Sequence, residues 1–233
     1  FPNVDTETEY GWKKKVKMRI PIFTPALGST EIARRNWEHI AIGAAISGIT
    51  AVCGENVCGI DPGLELNRNG KIKKSPDMDR RIEVYKKYYE GYGEILVQMN
   101  VEDTRFGVAE YVLEKHNLDT IELKWGQGAK AIGGEVRVRD LDRAIMLKKR
   151  GYIVIPDTED PTVQQAFKDG TFKSFERHSR VGMPQPKAFV EDIEWLRSQG
   201  AKHVILKTGA YRPSAVAWTM KMASDAKIEA VTF

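Results

Sequence analysis

The stretch IELKWGQGAKAIGGE, residues 121–135, decides the fold of this chain, because a strand-like run leads directly into a glycine-rich loop. The run at residues 120–123 is rich in β-branched residues and predicts a strand. The loop carries an amide, Gln127, and a cation, Lys130, among glycines that let the backbone approach a ligand closely. We therefore predict that the loop presents these two groups to a bound cofactor or acid.

Strand-like and helix-like segments alternate along the rest of the chain. Apolar runs predict strands that begin near residues 20, 49, 94, 120, 203 and 228, with 152 as a further candidate. Helical spacing of apolar residues predicts helices at residues 31–47, 77–90, 108–116, 140–149, 188–197 and 214–224. This order indicates an α/β fold with a parallel sheet and helices outside it. Glycines and polar residues follow the strands, which is where a TIM-type (β/α)8 barrel places its active site.

The length of 233 residues favours one main domain. We assign the polar residues 1–16 to an N-terminal arm or linker, and residues 17–233 to the barrel. A closed barrel needs eight strands, so we expect about six β/α units here and a barrel that is incomplete at its C-terminal end. Residues at about 156–186 are rich in proline and glycine. They are either an excursion over the active-site mouth or a surface loop without chemistry.

Composition excludes several classes of protein. The 42% hydrophobic and 29% charged content is that of a globular protein, and no apolar run approaches the ~20 residues of a membrane span. We expect a cytoplasmic protein without a membrane role. The net charge of +4 comes partly from lysine runs that lack interleaved aromatic residues, so nucleic acid is not expected as a partner. A basic cleft would still attract an anionic substrate.

The two cysteines, Cys53 and Cys58, are too few to complete a zinc site or an iron-sulfur cluster by themselves. The nearest histidine in sequence is His39. We interpret the pair as two reduced thiols at a strand end, and we predict no metal site.

The glycine-rich loop and four other segments resemble the FMN-binding synthase domain of the glutamate synthase family. The QGAK of residues 127–130 is that family's own motif, and RFGV at residues 105–108 is another. Residues 21–23 with Gly28 and Ser29 resemble its first barrel strand, residues 51–55 its second, and residues 204–207 its VKLV strand. The matches follow the family's order and together extend over most of residues 17–233.

The resemblance implies a flavin-dependent oxidoreductase that reduces a 2-imino acid, formed from 2-oxoglutarate and ammonia, to glutamate with FMN as hydride donor. It implies that Lys130 is catalytic and that Lys130 and Gln127 bind the 2-oxo acid. Glu55 stands where the family has the acid of GEGG, and a carboxylate there could orient ammonia or take up a proton. Here that loop instead continues Gly-Glu-Asn-Val.

The same resemblance implies a set of flavin contacts. We expect Gln98, an amide in an apolar strand, to face the uracil-like edge of the ring. We expect Lys207 to place a cation near the reduced flavin. The predicted cofactor-binding residues are Gly28, Ser29, Gln98, Gln127 and Lys207.

Partners and alternatives follow from what the chain does not contain. Ammonia would come from a glutaminase domain or subunit, and electrons from a donor subunit or ferredoxin. An iron-sulfur cluster, where the family has one, would lie on a part or partner not present here. One alternative is a dehydrogenase subunit acting on an N-methylated glutamate derivative. A second is a non-catalytic barrel scaffold that has lost flavin, and a third is a flavin-free enzyme that uses Lys130 as a Schiff base.

Overall fold

A computed structural model describes residues 4–126, 136–182, 185–209 and 211–233. Within these ranges the strands are β1 (Thr8–Tyr10), β2 (Val16–Met18), β3 (Ala51–Cys53), β4 (Glu65–Leu66), β5 (Ile72–Lys74), β6 (Ile95–Met99), β7 (Thr120–Lys124), β8 (Val136–Val138), β9 (Ile153–Ile155), β10 (Phe175–His178), β11 (His203–Lys207) and β12 (Ala230–Thr232). The helices are α1 (Glu31–Ser47), α2 (Val57–Ile60), α3 (Pro76–Lys87), α4 (Val101–Phe106), α5 (Val108–His116), α6 (Leu141–Lys149), α7 (Pro161–Lys168), α8 (Pro186–Ser198) and α9 (Pro213–Asp225).

The centre of the molecule is a parallel sheet of five strands in the order β12-β11-β7-β6-β3. Every neighbouring pair is parallel, and the spatial order follows the order in the chain. Residues 23 and 27 extend the sheet beyond β3 through isolated parallel bridges, Phe23 to Thr50 and Leu27 to Cys53. The sheet curls as a half-barrel, so the predicted α/β class with a parallel sheet is confirmed.

The inner face of the half-barrel has three levels of side chains, because alternate residues of a strand face the same side. Val52, Leu96 and Ile205 form an apolar cluster on this face. Thr120 and His203 are register partners towards the amino ends, Glu122 is level with Gln98 and Ile205, and Lys124 is level with Lys207 at the carboxyl ends. The outer face packs against the helices and forms the main core. The fold therefore brings polar groups together at both ends of one sheet.

Helix α1, which lies on the outer face of the sheet, begins and ends at residues that favour helix termini. It begins after Thr30, whose side chain accepts a hydrogen bond from the backbone N–H of Ala33. It ends at Gly48, which adopts φ 67°, a left-handed conformation that glycine tolerates best. Trp37 is fully buried, and its indole N–H donates to the carbonyl of Arg81 on α3 at 3.0 Å. The predicted limits of this helix are confirmed.

The N-terminal residues form a hairpin beneath the sheet. Strands β1 and β2 pair in antiparallel fashion, and Tyr10 donates a hydrogen bond to the carboxylate of Glu94 at the start of β6. The indole of Trp12 donates to the carbonyl of Ile228 at 3.2 Å. The segment assigned to an arm thus lies against the amino ends of the strands.

Two segments differ from the predicted strands and loops. The strand candidate near 152 is β9, which belongs to a separate antiparallel sheet in the order β8-β10-β9. The segment at about 156–186 contains α7 and β10, so it is more regular than its prolines and glycines suggested. No helix in the described ranges is both long and apolar enough to cross a bilayer.

Candidate functional site

Five polar side chains meet at the carboxyl ends of the parallel strands, and we call them the strand-end cluster. Its members are Glu55, Gln98, Glu122, Lys124 and Lys207. Gln98 and Glu122 are register partners on β6 and β7, and Lys124 and Lys207 are register partners on β7 and β11. Glu55 joins them from the loop after β3. Parallel strands therefore bring three residues predicted from sequence, Glu55, Gln98 and Lys207, to one edge.

Glu55 and Lys124 form an ion pair at the centre of this edge. The ammonium Nζ of Lys124 donates to Oε1 of Glu55 at 2.6 Å, and the two side chains are only 9% and 16% exposed. A pair so little exposed is weakly screened by solvent. Sequence reasoning missed Lys124, although its place two residues after Glu122 puts both side chains on one face of β7.

Gln98 and Glu122 form a buried hydrogen-bonded pair beside that ion pair. The amide Nε2 of Gln98 donates to Oε1 of Glu122. Burial raises the pKa of Glu122, whereas the hydrogen bond from Gln98 and the positive charge of Lys207 act in the opposite direction. The other amide atom, Oε1 of Gln98, is buried and has no donor among the described residues. A buried acceptor without a donor is available to a ligand.

Gly28 lies in tight contact with the loop that carries Glu55. A Cβ built on Gly28 would lie 2.4 Å from the carbonyl oxygen of Glu55, and one on Gly54 would lie 2.5 Å from the backbone N of Gly28. Both positions therefore require glycine, since a side chain would separate the two loops. The ligand contact predicted for Gly28 stays a prediction.

Ser29 contacts a buried arginine that sequence reasoning did not identify. Its Oγ accepts a hydrogen bond from Nη2 of Arg177 on β10 at 3.0 Å. The Arg177 side chain is buried, and its guanidinium carbon lies 5.0 Å from the ring centre of Tyr152. Its Nε and Nη1 atoms have no hydrogen-bond partner in the described ranges. An arginine 148 residues from Ser29 in the chain gives no local sequence signal of this contact.

A second polar cluster, of Asn56, Asn100, Asp103 and Ser179, lies behind Glu55. The backbone N–H of Asn56 donates to both carboxylate oxygens of Asp103, at 3.0 and 3.2 Å. The side chain of Asn56 donates to Ser179 and accepts from Asn100. Asn56 adopts φ 65°, a left-handed conformation that asparagine tolerates better than most residues. Burial raises the pKa of Asp103 to about 7, against the lowering effect of the donated hydrogen bonds.

The two cysteines lie in the core. Burial raises the pKa of the Cys53 thiol to about 11 and raises that of Cys58 as well, so both are protonated at neutral pH. No group of three or more histidine, cysteine or carboxylate side chains in the described ranges is arranged to hold a metal. These thiols therefore pack as apolar side chains.

The two residues at the centre of the sequence argument, Gln127 and Lys130, lie outside the described residues. Their predicted roles stay predictions. The strand that leads to them, β7, ends at Lys124 within the strand-end cluster.

The sequence was compared with models of known protein families. A family model described as a conserved region in glutamate synthase matches residues 3–146, more than half of the chain. The matched part includes Glu55, Gln98, Glu122 and Lys124, and it ends before Arg177 and Lys207. No curated protein matches the chain.

Proposed function

Because the chain belongs to the glutamate synthase family, we propose that it is an FMN-dependent oxidoreductase whose parallel strands are part of a TIM-type (β/α)8 barrel. The proposed reaction reduces a 2-imino acid, formed from 2-oxoglutarate and ammonia, to glutamate. The observation that carries this proposal is the strand-end cluster, since barrels bind their substrates at the carboxyl ends of the strands.

The described side chains at this edge fit a flavin ring. The unpartnered Oε1 of Gln98 offers an acceptor for the imide N–H of the ring. The hydroxyl of Thr208, directly after β11, is likewise buried without a partner in the part of the chain that the structure describes. Lys207 adds a cation at the same edge, a charge that suits a reduced flavin. We propose Gly28, Ser29, Gln98, Gln127 and Lys207 as the cofactor-binding residues.

The proposed substrate is an anion, and the cluster supplies charges that suit it. Lys124 and Lys207 lie side by side in register, and of the two only Lys124 has an ion-pair partner in the described part of the chain. Two adjacent cations favour the carboxylates of a 2-oxo acid and raise its local concentration. Glu55, which Lys124 holds in place, is proposed to orient ammonia or to exchange a proton with the imine nitrogen.

When bound, FMN would supply the hydride that reduces the imine carbon. The role of the chain is then to hold the acid, to exclude water and to place charge where it is needed. We propose that Lys130 and Gln127 contact the 2-oxo acid from the loop after β7, with Lys130 as the catalytic cation. A glutaminase domain or subunit is proposed as the source of ammonia, and a donor subunit or ferredoxin as the source of electrons.

The test is an absorbance titration of the protein, in this form and extended beyond residue 233, first with FMN and then with 2-oxoglutarate. We expect flavin bands that shift when the oxo acid is added. Gln98→Leu should weaken FMN binding by about tenfold, the cost of one buried hydrogen bond to a ligand. Lys130→Ala should keep the flavin and lose the shift caused by the oxo acid.

Gln199→Leu is the matched control, because Gln199 is an exposed amide at the end of α8. It should bind FMN as the wild type does. If neither form of the wild-type protein perturbs the absorbance bands of FMN or retains flavin after free FMN is removed, the flavoenzyme proposal fails, and a barrel scaffold without flavin becomes the function to test.

A further inference from the structure

A pocket of about 460 Å³ lies beneath the amino ends of the parallel strands. Its walls come from the turn between β1 and β2, from the end of α8, and from the loops that precede β11 and β12. The argument rests on one aromatic and five basic residues of the lining: Trp12, Lys13, Lys14, Arg197, Lys202 and Lys227. The buried polar side chains of the sheet itself are not part of the lining.

The lysines of this pocket carry more positive charge than the nearby carboxylates balance. Lys14 and Lys202 share a single carboxylate, that of Asp119. Lys13 and Lys227 are exposed, and neither forms an ion pair with a described residue. Their ammonium groups are therefore available to a bound anion.

The remaining charges at the pocket do not reverse this excess. Arg197 donates to the carbonyls of Ala226 and Lys227 at 3.1 and 2.8 Å, so its charge meets backbone oxygens at the end of α9. Glu229 lines the pocket, accepts a hydrogen bond from the backbone N–H of Val204 at 2.8 Å, and has a pKa raised by burial. Five cations therefore face two carboxylates, which favours a ligand with several negative charges.

Trp12 supplies the second observation, because it is an anchored aromatic side chain that remains exposed. Its indole N–H donates to the carbonyl of Ile228 at 3.2 Å, yet 63% of the residue is accessible to solvent. The same turn is tied to the sheet at Lys14, through Asp119 and the ring of His203. An aromatic surface held in a defined position among cations offers a ligand both stacking and charge.

We propose that this pocket binds a nucleoside di- or triphosphate, with its base stacked on the indole of Trp12 and its phosphates among the surrounding lysines. Stacking suits any base, because every base has a π-face, and lysine binds phosphate as a point charge. The pocket lies at the opposite end of the sheet from the strand-end cluster. The proposal therefore depends neither on bound flavin nor on the proposed reaction.

The experiment is isothermal titration of the protein, without FMN, with ATP and separately with inorganic triphosphate and with adenosine. We expect saturable binding of one ATP per chain, and binding of triphosphate or adenosine that is at least about fivefold weaker, since each keeps one of the two interactions. Trp12→Leu should weaken ATP binding by at least about fivefold. Trp12→Phe should restore most of that loss, because phenylalanine also offers an aromatic face.

The double variant Lys13→Gln/Lys227→Asn tests the contacts to the phosphates. We expect about tenfold weaker binding of ATP and unchanged binding of adenosine. The unfolding temperature should stay that of the wild type, because both lysines are exposed and asparagine tolerates the left-handed φ of 54° at residue 227.

Trp218→Leu and Lys168→Gln/Lys173→Gln are the matched controls, since these side chains are exposed and lie outside the pocket lining. Both should bind ATP as the wild type does. The proposal is overturned by the absence of saturable ATP binding, by triphosphate binding as tight as that of ATP, or by wild-type affinity in Trp12→Leu or in the lysine double variant. It is also overturned if the controls lose as much affinity, or if saturating FMN abolishes ATP binding, because ATP would then occupy the flavin site.

Discussion

Polar side chains are buried at both ends of the parallel sheet, but the two ends differ in whether these side chains have hydrogen-bond partners. At the amino ends, Glu94 accepts hydrogen bonds from Tyr10 and Thr120, and His203 lies 3.0 Å from Thr120 and 2.8 Å from the carbonyl of Lys14. At the carboxyl ends, Oε1 of Gln98 and Oγ1 of Thr208 are left without partners in the described part of the chain.

We infer that the buried polar side chains at the amino ends of the sheet serve stability, and that those at the carboxyl ends also serve ligand binding. A buried polar atom without a partner costs about 1–3 kcal/mol, and Glu94 and His203 at the amino ends avoid this cost through hydrogen bonds with Tyr10 and Lys14 of the β1–β2 hairpin. The carboxyl ends tolerate it at the atoms that a ligand could complete. Changes to these side chains at the amino ends should therefore alter stability alone, whereas changes at the carboxyl ends should alter binding as well.

The largest effect is expected from Glu94→Ala at the amino ends. The substitution leaves the hydroxyls of Tyr10 and Thr120 without their acceptor inside the protein. We expect the free energy of unfolding to fall by about 3 kcal/mol, measured by urea denaturation, with no change in FMN affinity among folded molecules. Glu114→Ala on the exposed side of α5 is the control and should change stability by less than about 0.5 kcal/mol. A loss of FMN affinity in Glu94→Ala would contradict the division between the two ends.

Lys124→Met should have the next largest effect and should change both properties. It leaves the largely buried Glu55 without its cation, so we expect a loss of about 2 kcal/mol in stability and at least tenfold weaker binding of 2-oxoglutarate. Equilibrium denaturation and the flavin absorbance titration measure the two quantities. Lys221→Met removes an exposed ion pair with Asp225 and should cost no more than about 0.5 kcal/mol. Unchanged binding of the oxo acid in Lys124→Met would count against the cluster as a substrate site.

Asp103→Asn should change the pH dependence of stability. The pKa of Asp103 is raised to about 7 in the folded protein, so between about pH 4 and 7 the folded state holds a proton that the unfolded state has released. The stability from this proton is present at low pH and is lost as the pH rises to 7. We expect the variant to lack this decline, a difference of up to about 1.4 kcal/mol per pH unit.

Denaturation at several pH values between 4 and 8 measures this slope. Other carboxylates, such as Glu31 with its pKa lowered to about 2, act on the wild type and the variant alike, so the difference between the two slopes reports Asp103. Parallel slopes for the variant and the wild type would show that Asp103 is ionised throughout.

Glu122→Gln is expected to have the smallest effect. The glutamine can still accept the hydrogen bond from Gln98, and it removes a charge whose burial raises the pKa of Glu122. That charge costs stability only at high pH, so we expect the variant to gain up to about 1 kcal/mol at pH 8 and little at pH 5. Denaturation at the two pH values measures the gain, with Glu114→Gln as the exposed control. A loss at pH 8 would mean that the lysines stabilise the Glu122 carboxylate more than burial penalises it.

The parts of the fold that local signals control could be predicted from the sequence. Helix α1 follows its cap residues, and β6, β7 and β11 follow compact apolar runs. The strand expected near residue 20 reduces to two isolated bridges, at Phe23 and Leu27, because Pro21 and Pro25 have no N–H to donate to a ladder. Helix α7 and β10 escaped prediction because they are stabilised by packing among Phe167, Phe172 and Phe175, with ring centres 5.0 to 5.4 Å apart.

Some residues of the candidate site could likewise be predicted from the sequence, and others could not. Glu55, Gln98 and Lys207 could be predicted because each stands at or near a strand end. Glu122 and Lys124 could also have been predicted, because the alternation of side chains along β7 puts both on one face. No local sequence pattern indicates Arg177 or Asn56. The position of Arg177 depends on burial between distant segments, and that of Asn56 depends on a left-handed backbone beside Asp103, which is distant in the chain.

The hairpin beneath the sheet also constrains the order in which the chain can fold. Trp12 bonds to Ile228, 216 residues later, and His203 bonds to the carbonyl of Lys14, 189 residues earlier. Contacts of such separation form late, because the entropy of closing a long loop must be overcome first. During synthesis, Trp12 and Lys14 emerge early, but these two contacts cannot form until His203 and Ile228 have left the ribosome. An early-synthesised segment is thus among the last to reach its place.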